Sequence, residues 1–232
     1  MFERLIRREP PNPRGPLAEL LEGYPAYVAP FPGDPASISN TQARANLDAL
    51  LAQKPMRLGI IGAALGRFGI DLDRALAASD PNPFFDRIDA WALETWPTIG
   101  GSKLRQRREN ELVSLQRWRQ SDRSGPDIFY SLLLDLALAL GEVAIRRRPE
   151  MYWGLDLTIR PQDDRVEYHV PVLRGVQVPD AADPSLEEAY ALEHGLFVAF
   201  VNICTSIDPE MCEPTLYLRG MISGYPVVSR RG

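Results

Sequence analysis

Residues 128–145, IFYSLLLDLALALGEVAI, form the most apolar stretch of the chain and constrain its architecture most. A run of eighteen such residues approaches the length that spans a bilayer. Asp135 and Glu142 lie inside it, and each charge costs about 3 kcal/mol at a bilayer centre. The run is therefore expected to be the buried central helix of a protein core. It follows the break at Gly125-Pro126, is capped by Asp127 and ends before Pro149.

Upstream, residues 10–35 carry eight prolines, with Gly15, Gly23 and Gly33 among them, so regular structure is excluded apart from a short helix over 17–22. Residues 1–38 read as a Pro-rich N-terminal arm whose Tyr24, Tyr27, Val28 and Phe31 lie along the body or along a partner. Ser39 or Asn40 caps a helix to about residue 53, with Ala43, Leu47, Leu50 and Leu51 at helical spacing. Pro55 then starts a second helix over 56–68, so two short antiparallel helices are expected. Asp80-Pro81-Asn82-Pro83 launches an amphipathic helix over 84–96. The basic segment 103–120 predicts a surface helix with a thin stripe of Leu104, Leu112, Leu115 and Trp118.

After Pro149 the apolar period changes from helical to alternating. Residues 152–159 predict a strand with Trp153 inward and Tyr152 outward, joined by a turn at 161–164 to a return strand over 165–173. Asp183-Pro184-Ser185 is a helix start, residues 196–203 fit either that helix or a central strand, and residues 215–221 predict a further strand. The expected fold class is α+β: a helical N-terminal two-thirds packed on a small, mainly antiparallel sheet from the C-terminal third. Residues 39–232 read as a single domain, with an alternative sub-boundary near Pro149.

The residues that carry chemistry form no recognised machinery. Gly59, Gly62, Gly66 and Gly69 lie in a helical pattern with no preceding strand and no Lys-Ser/Thr after it, so close helix packing is favoured over phosphate binding. His169 and His194, with Glu167 and Glu193, offer a two-histidine, two-carboxylate metal set. Neither spacing is that of a metal motif; scattered surface or interface histidines are favoured, and no metal or cofactor is expected. Cys204 and Cys212 read as reduced thiols of a cytoplasmic protein. Asp135 and Glu142, seven residues apart, share one helix face and suit either a hydrolase-type acid pair or carboxylates neutralised by arginine. With no nucleophile elbow, Cys-His signature or zinc-protease motif, a non-catalytic interaction role is favoured over an enzyme.

Charge divides the chain. Basic residues crowd 103–123 around Trp118, but a net charge of -5 argues against a dedicated nucleic-acid binder. Residues 150–213 hold thirteen acidic side chains against Arg160, Arg165 and Arg174. A field of this kind steers association with a basic partner. Asp156, Asp163, Asp164 and Glu167, on or beside the expected hairpin, are the candidate binding residues. The Pro-rich arm offers a third role, in assembly.

Gly141-Glu142-Val143, Arg146-Arg147-Arg148-Pro149 and Tyr152-Trp153-Gly154-Leu155-Asp156 together resemble small bacterial α+β families in which a helix ending in Gly-Glu precedes a Trp-bearing strand. Some of those families are immunity proteins of bacterial toxin systems. The resemblance spans about sixteen residues and implies a protein that binds and neutralises a cognate toxin, here a basic enzyme met by the acidic C-terminal surface. It carries over no binding residue.

Overall fold

Helix α6 (Ile128–Arg147) is the axis of the fold, with every residue from Phe129 to Gly141 buried. The fold is that of a computed structural model and is described over residues 15–99, 114–158, 165, 167–177, 187–205 and 213–223. By length and composition α6 is apolar enough to cross a membrane, but 83% of its most apolar window is inside the protein. Its lack of an amphipathic face follows from being covered on all sides. Asp127, expected to cap α6 through its side chain, instead pairs with Arg117 Nε at 2.6 Å.

Around this axis stand α1 (Pro16–Glu22), α2 (Asn40–Gly66), α3 (Leu72–Ala77), α4 (Asn82–Ile99) and α5 (Leu115–Gln120) before it, and β1 (Tyr152–Gly154), β2 (Val172–Gln177), β3 (Glu187–Tyr190), α7 (Leu192–Thr205) and α8 (Leu216–Ser223) after it. The class is α+β, as expected, with one three-stranded antiparallel sheet among the described residues, in the order β1-β2-β3. Trp153 pairs with Leu173, which in turn pairs with Tyr190. The register slips between Leu173 and Val176, where Gly175 has φ 93°. A Cβ there would lie 2.1 Å from the Glu150 carbonyl oxygen, so only glycine carries the bulge.

Residues 15–38 fold onto the body. Leu17, Leu20, Leu21 and Tyr24 join the main core, and Tyr27 packs with Leu50, Leu134 and Leu138 in a second cluster. Beneath them lies a sealed polar knot. Arg57 Nε and Nη2 donate to the two oxygens of Asp135 at 2.7 and 2.6 Å, the Tyr24 hydroxyl donates to Asp135 Oδ2 at 2.5 Å, and the Arg57 guanidinium also donates to the Pro25 carbonyl. One buried fork thereby ties the arm, α2 and α6 together.

Several expectations require correction. The two helices expected on either side of Pro55 are one continuous helix, α2, opened by the Ser39–Gln42 capping box. An internal proline costs roughly 3 kcal/mol, but Leu50, Ile61 and Leu65 are buried on both sides of it, and that packing holds the helix together. The expected small-residue packing face is realised only in part: Gly62 rests on Leu72, whereas a Cβ at Gly59 or Gly66 would meet no atom within 4 Å. In the basic segment, Trp118 is no surface stripe but a buried anchor stacked on Phe197 at 5.4 Å. Residues 103–113 lie outside the described residues.

The expected 152–159/165–173 hairpin is realised only at its open end, where Tyr152–Gly154 pairs antiparallel with Val172–Arg174. The Asp156 side chain takes the Thr158 amide and hydroxyl, turning the chain, and His169 adopts φ 57°, which interrupts an extended return. The return strand is thus β2, Val172–Gln177, which starts later than expected; residues 159–164 and 166 lie outside the described residues. Residues 187–190, expected within a helix, are strand β3, because β2 offers them its second edge. The helix starts at Leu192 and settles residues 196–203 as helical. The strand expected over 215–221 is helix α8, whose Leu218 and Met221 fall at helical spacing and are buried.

Candidate binding site

The C-terminal elements meet at a cleft of about 270 Å³. Tyr190 at the end of β3 and Tyr217 in the first turn of α8 form one wall, with ring centroids 5.8 Å apart and planes tilted by 37°. His194 and Gly195, in the first turn of α7, form the floor, and Glu167 and Glu213 stand at the rim. The Tyr190 hydroxyl lies so close over Gly195 that a Cβ at 195 would be 2.4 Å from it. Burial pushes the His194 imidazole below the usual histidine range, opposed by Glu167 and Glu193, so the ring is neutral at neutral pH. The ring lies beside Trp118 and Phe197, tilted to them by 51° and 35°.

Glu167 takes Arg165 Nε at 3.2 Å, on a guanidinium that is largely exposed. Glu213 is exposed and makes no ion pair among the described residues. The cleft thus combines two carboxylates, two aromatic faces and a neutral imidazole, the chemistry that receives an organic cation.

Tyr217 is brought to this wall by an anchor beneath α8. The Thr215 amide and hydroxyl donate to Asp89 of α4 at 3.0 and 2.6 Å, and Arg219 Nη2 donates to Asp89 at 2.8 Å. Arg148, at the end of α6, donates to the Met221 carbonyl at 3.1 Å.

A second, tighter cleft of about 90 Å³ lies where the arm, α2, α5 and α7 meet. Among the described residues, the two non-glycine residues with positive φ, Arg123 at 59° and His169 at 57°, both line it. Such backbones are costly and need strong fixation. Arg123 forks onto Glu193, which also takes Trp118 Nε1–H at 2.9 Å. His169 Nδ1–H donates to the Pro35 carbonyl at 3.0 Å, and Nε2 lies 2.6 Å from Asn40 Oδ1. These polar groups satisfy one another, so the cleft cross-links the arm to the C-terminal elements.

The candidate residues are therefore dispersed. Of the acidic set, Glu167 reaches the larger cleft; the Asp156 carboxylate is engaged by Thr158; and Asp163 and Asp164 lie outside the described residues. The two histidines, expected at the surface or an interface, are buried and half-buried, and they separate: His169 shares a cleft with Glu193, His194 with Glu167. Among the described residues no three His, Cys, Asp or Glu side chains gather to hold a metal.

Asp135 is fully buried inside its hydrogen-bond knot. Glu142 is held by Lys54 at 2.7 Å and by Trp153 Nε1–H at 3.0 Å. Both carboxylates fasten helix to neighbour. Sequence reasoning missed Tyr190 and Tyr217, because residues 187–190 read as helix and 215–221 as strand, and it singled out no role for Glu213 beyond the acidic excess. No family model, curated protein or solved structure matches the chain.

Proposed function

We propose that this chain is a non-catalytic binding protein of the immunity type, which captures and neutralises a basic toxin enzyme through its acidic C-terminal region. The observation that carries this reading is the cleft, where Glu213, without an ion pair among the described residues, and Glu167 stand over a tyrosine pair. The sequence from 150 to 213 carries thirteen acidic residues, an excess whose field attracts a cation-bearing partner. The candidate acids of the alternative hydrolase, Asp135 and Glu142, are consumed by structural partners. The alternative assembly role of the arm competes with the use that Leu17, Leu20, Leu21, Tyr24 and Tyr27 already have in covering the chain's own core, although Val28 and Phe31, expected to lie along a surface, are exposed.

The test is capture of a partner from the source cell on the tagged full chain, followed by association kinetics at low and physiological salt. A basic partner is expected, with an association rate that falls with salt and falls further in an Asp163→Lys/Asp164→Lys double variant. Rates indifferent to both salt and charge reversal would remove the electrostatic reading.

A further inference from the structure

Resting on that binding reading, we infer that the Tyr190–Tyr217 cleft is a subsite for a guanidinium, taking one arginine side chain of the partner. Two tyrosine rings tilted by 37° present aromatic faces, and a planar, weakly hydrated cation stacks on such faces better than a compact ammonium does. Carboxylates at the rim supply the fork that a guanidinium's paired N–H groups match.

The protein already rehearses this contact. Arg165, an exposed side chain of its own, donates through Nε to Glu167 at 3.2 Å, and an exposed pair of that kind is weak enough for an incoming arginine to displace. Glu213 lies open on the other side of the rim.

Among the described residues no lysine or arginine lines the cleft. The groups with charge near His194 are Glu167, Glu193 and Arg119; Glu193 is taken by Arg123 and Trp118, and Arg119 faces Asp34 at 3.6 Å. An anionic ligand would meet two carboxylates and is excluded by the same geometry. The bare Cα of Gly195 completes the site, since it alone lets the Tyr190 hydroxyl settle onto α7.

The experiment titrates the full chain with arginine blocked at both ends, Nα-acetyl-arginine methylamide, following the His194 ring signals by NMR. The uncharged, isosteric citrulline derivative and the blocked lysine serve as controls. Saturable shifts at millimolar concentration are expected for arginine, with lysine weaker and citrulline weaker by roughly ten-fold or more. Glu213→Gln and Tyr217→Ser should each weaken the arginine response several-fold, and Glu213→Gln, at an exposed position, leaves the fold intact.

Equal binding of citrulline and arginine, or no saturable change at His194, overturns the subsite. So does wild-type affinity of both cleft variants for the captured partner. If the Asp163/Asp164 reversal still slows association in that case, the binding reading stands without the subsite. Association indifferent to salt and to the reversal removes the binding reading whatever the arginine probe does.

Discussion

The Trp153 indole lies on the bare backbone of Gly141: a Cβ at 141 would sit 2.1 Å from Trp153 Cζ2 and 2.7 Å from Cη2. The next residue, Glu142, accepts the same ring's Nε1–H at 3.0 Å on Oε1, and the same oxygen takes Lys54 Nζ of α2 at 2.7 Å. Gly-Glu on the helix and Trp on the strand are thus one device, which seats the sheet on α6.

Gly141→Ala is accordingly expected to destabilise the protein by roughly 1–3 kcal/mol through overpacking, although alanine is the better helix former by about 1 kcal/mol. In a Trp153→Leu background the same change should become neutral or stabilising. Urea denaturation of the four proteins in this cycle measures the coupling. A Gly141→Ala effect that is the same in both backgrounds would mean that the ring is not seated there.

The Arg57–Asp135 fork makes a different prediction. Burial pushes the Asp135 carboxyl upward, while the guanidinium fork and the Tyr24 hydroxyl oppose it, and a neutral acid would strand the buried Arg57 charge. Arg57→Met should therefore cost about 3–5 kcal/mol, because it leaves a carboxylate sealed without its cation. Arg57→Met combined with Asp135→Leu should recover most of that loss, since an apolar pair of similar volume demands no compensation. Chemical denaturation decides; a double variant no better than the single one would contradict this account.

What was legible in the sequence was what composition and period alone determine. The apolarity of residues 128–145 announces a covered helix, and the Trp153/Tyr152 alternation reports which strand face is inward: Trp153 is half-buried and Tyr152 is 47% exposed. The misread segments are those where tertiary partners outweigh local signals. Pro55 stops an isolated helix, but α2 is held from both sides by its packing on α6. Residues 215–221 alternate like a strand, yet Asp89 binds Thr215 at the start of a helix whose apolar residues serve either period. Asp89 lies far in sequence from Thr215 and Arg219, and Tyr190 from Tyr217, so no local pattern contains the whole cleft.

The Asp89 anchor links stability to the proposed site. Asp89→Ala leaves Thr215 and Arg219 without their shared acceptor, and charge-assisted hydrogen bonds of this kind are worth about 2 kcal/mol. Amide exchange over residues 216–223 should accelerate more than exchange in α6. Arginine-probe binding at the cleft should fall in parallel, because Tyr217 is carried on the released helix. Unchanged exchange in α8 would show that the helix is held by its apolar contacts alone.

The last prediction concerns pH. Burial depresses the His194 imidazole, with Glu167 and Glu193 pulling the other way and Arg119 adding to the depression. A group with a lowered folded-state pKa is protonated first in the unfolded chain, so the native state loses stability as pH falls below about 6.5, the ordinary histidine value. The loss should develop between roughly pH 6.5 and 5, before the carboxylates titrate. His194→Phe removes the titration while keeping a ring against Trp118 and Phe197, and its stability should stay flatter across that window. Protonation also places a positive charge on the floor of the cleft, so arginine-probe affinity should fall over the same range in the wild type and less in the variant. Denaturation midpoints measured in half-unit pH steps for both proteins test the first statement. Parallel curves from pH 7 to 5 would show that His194 is as easily protonated in the folded chain as in the unfolded one.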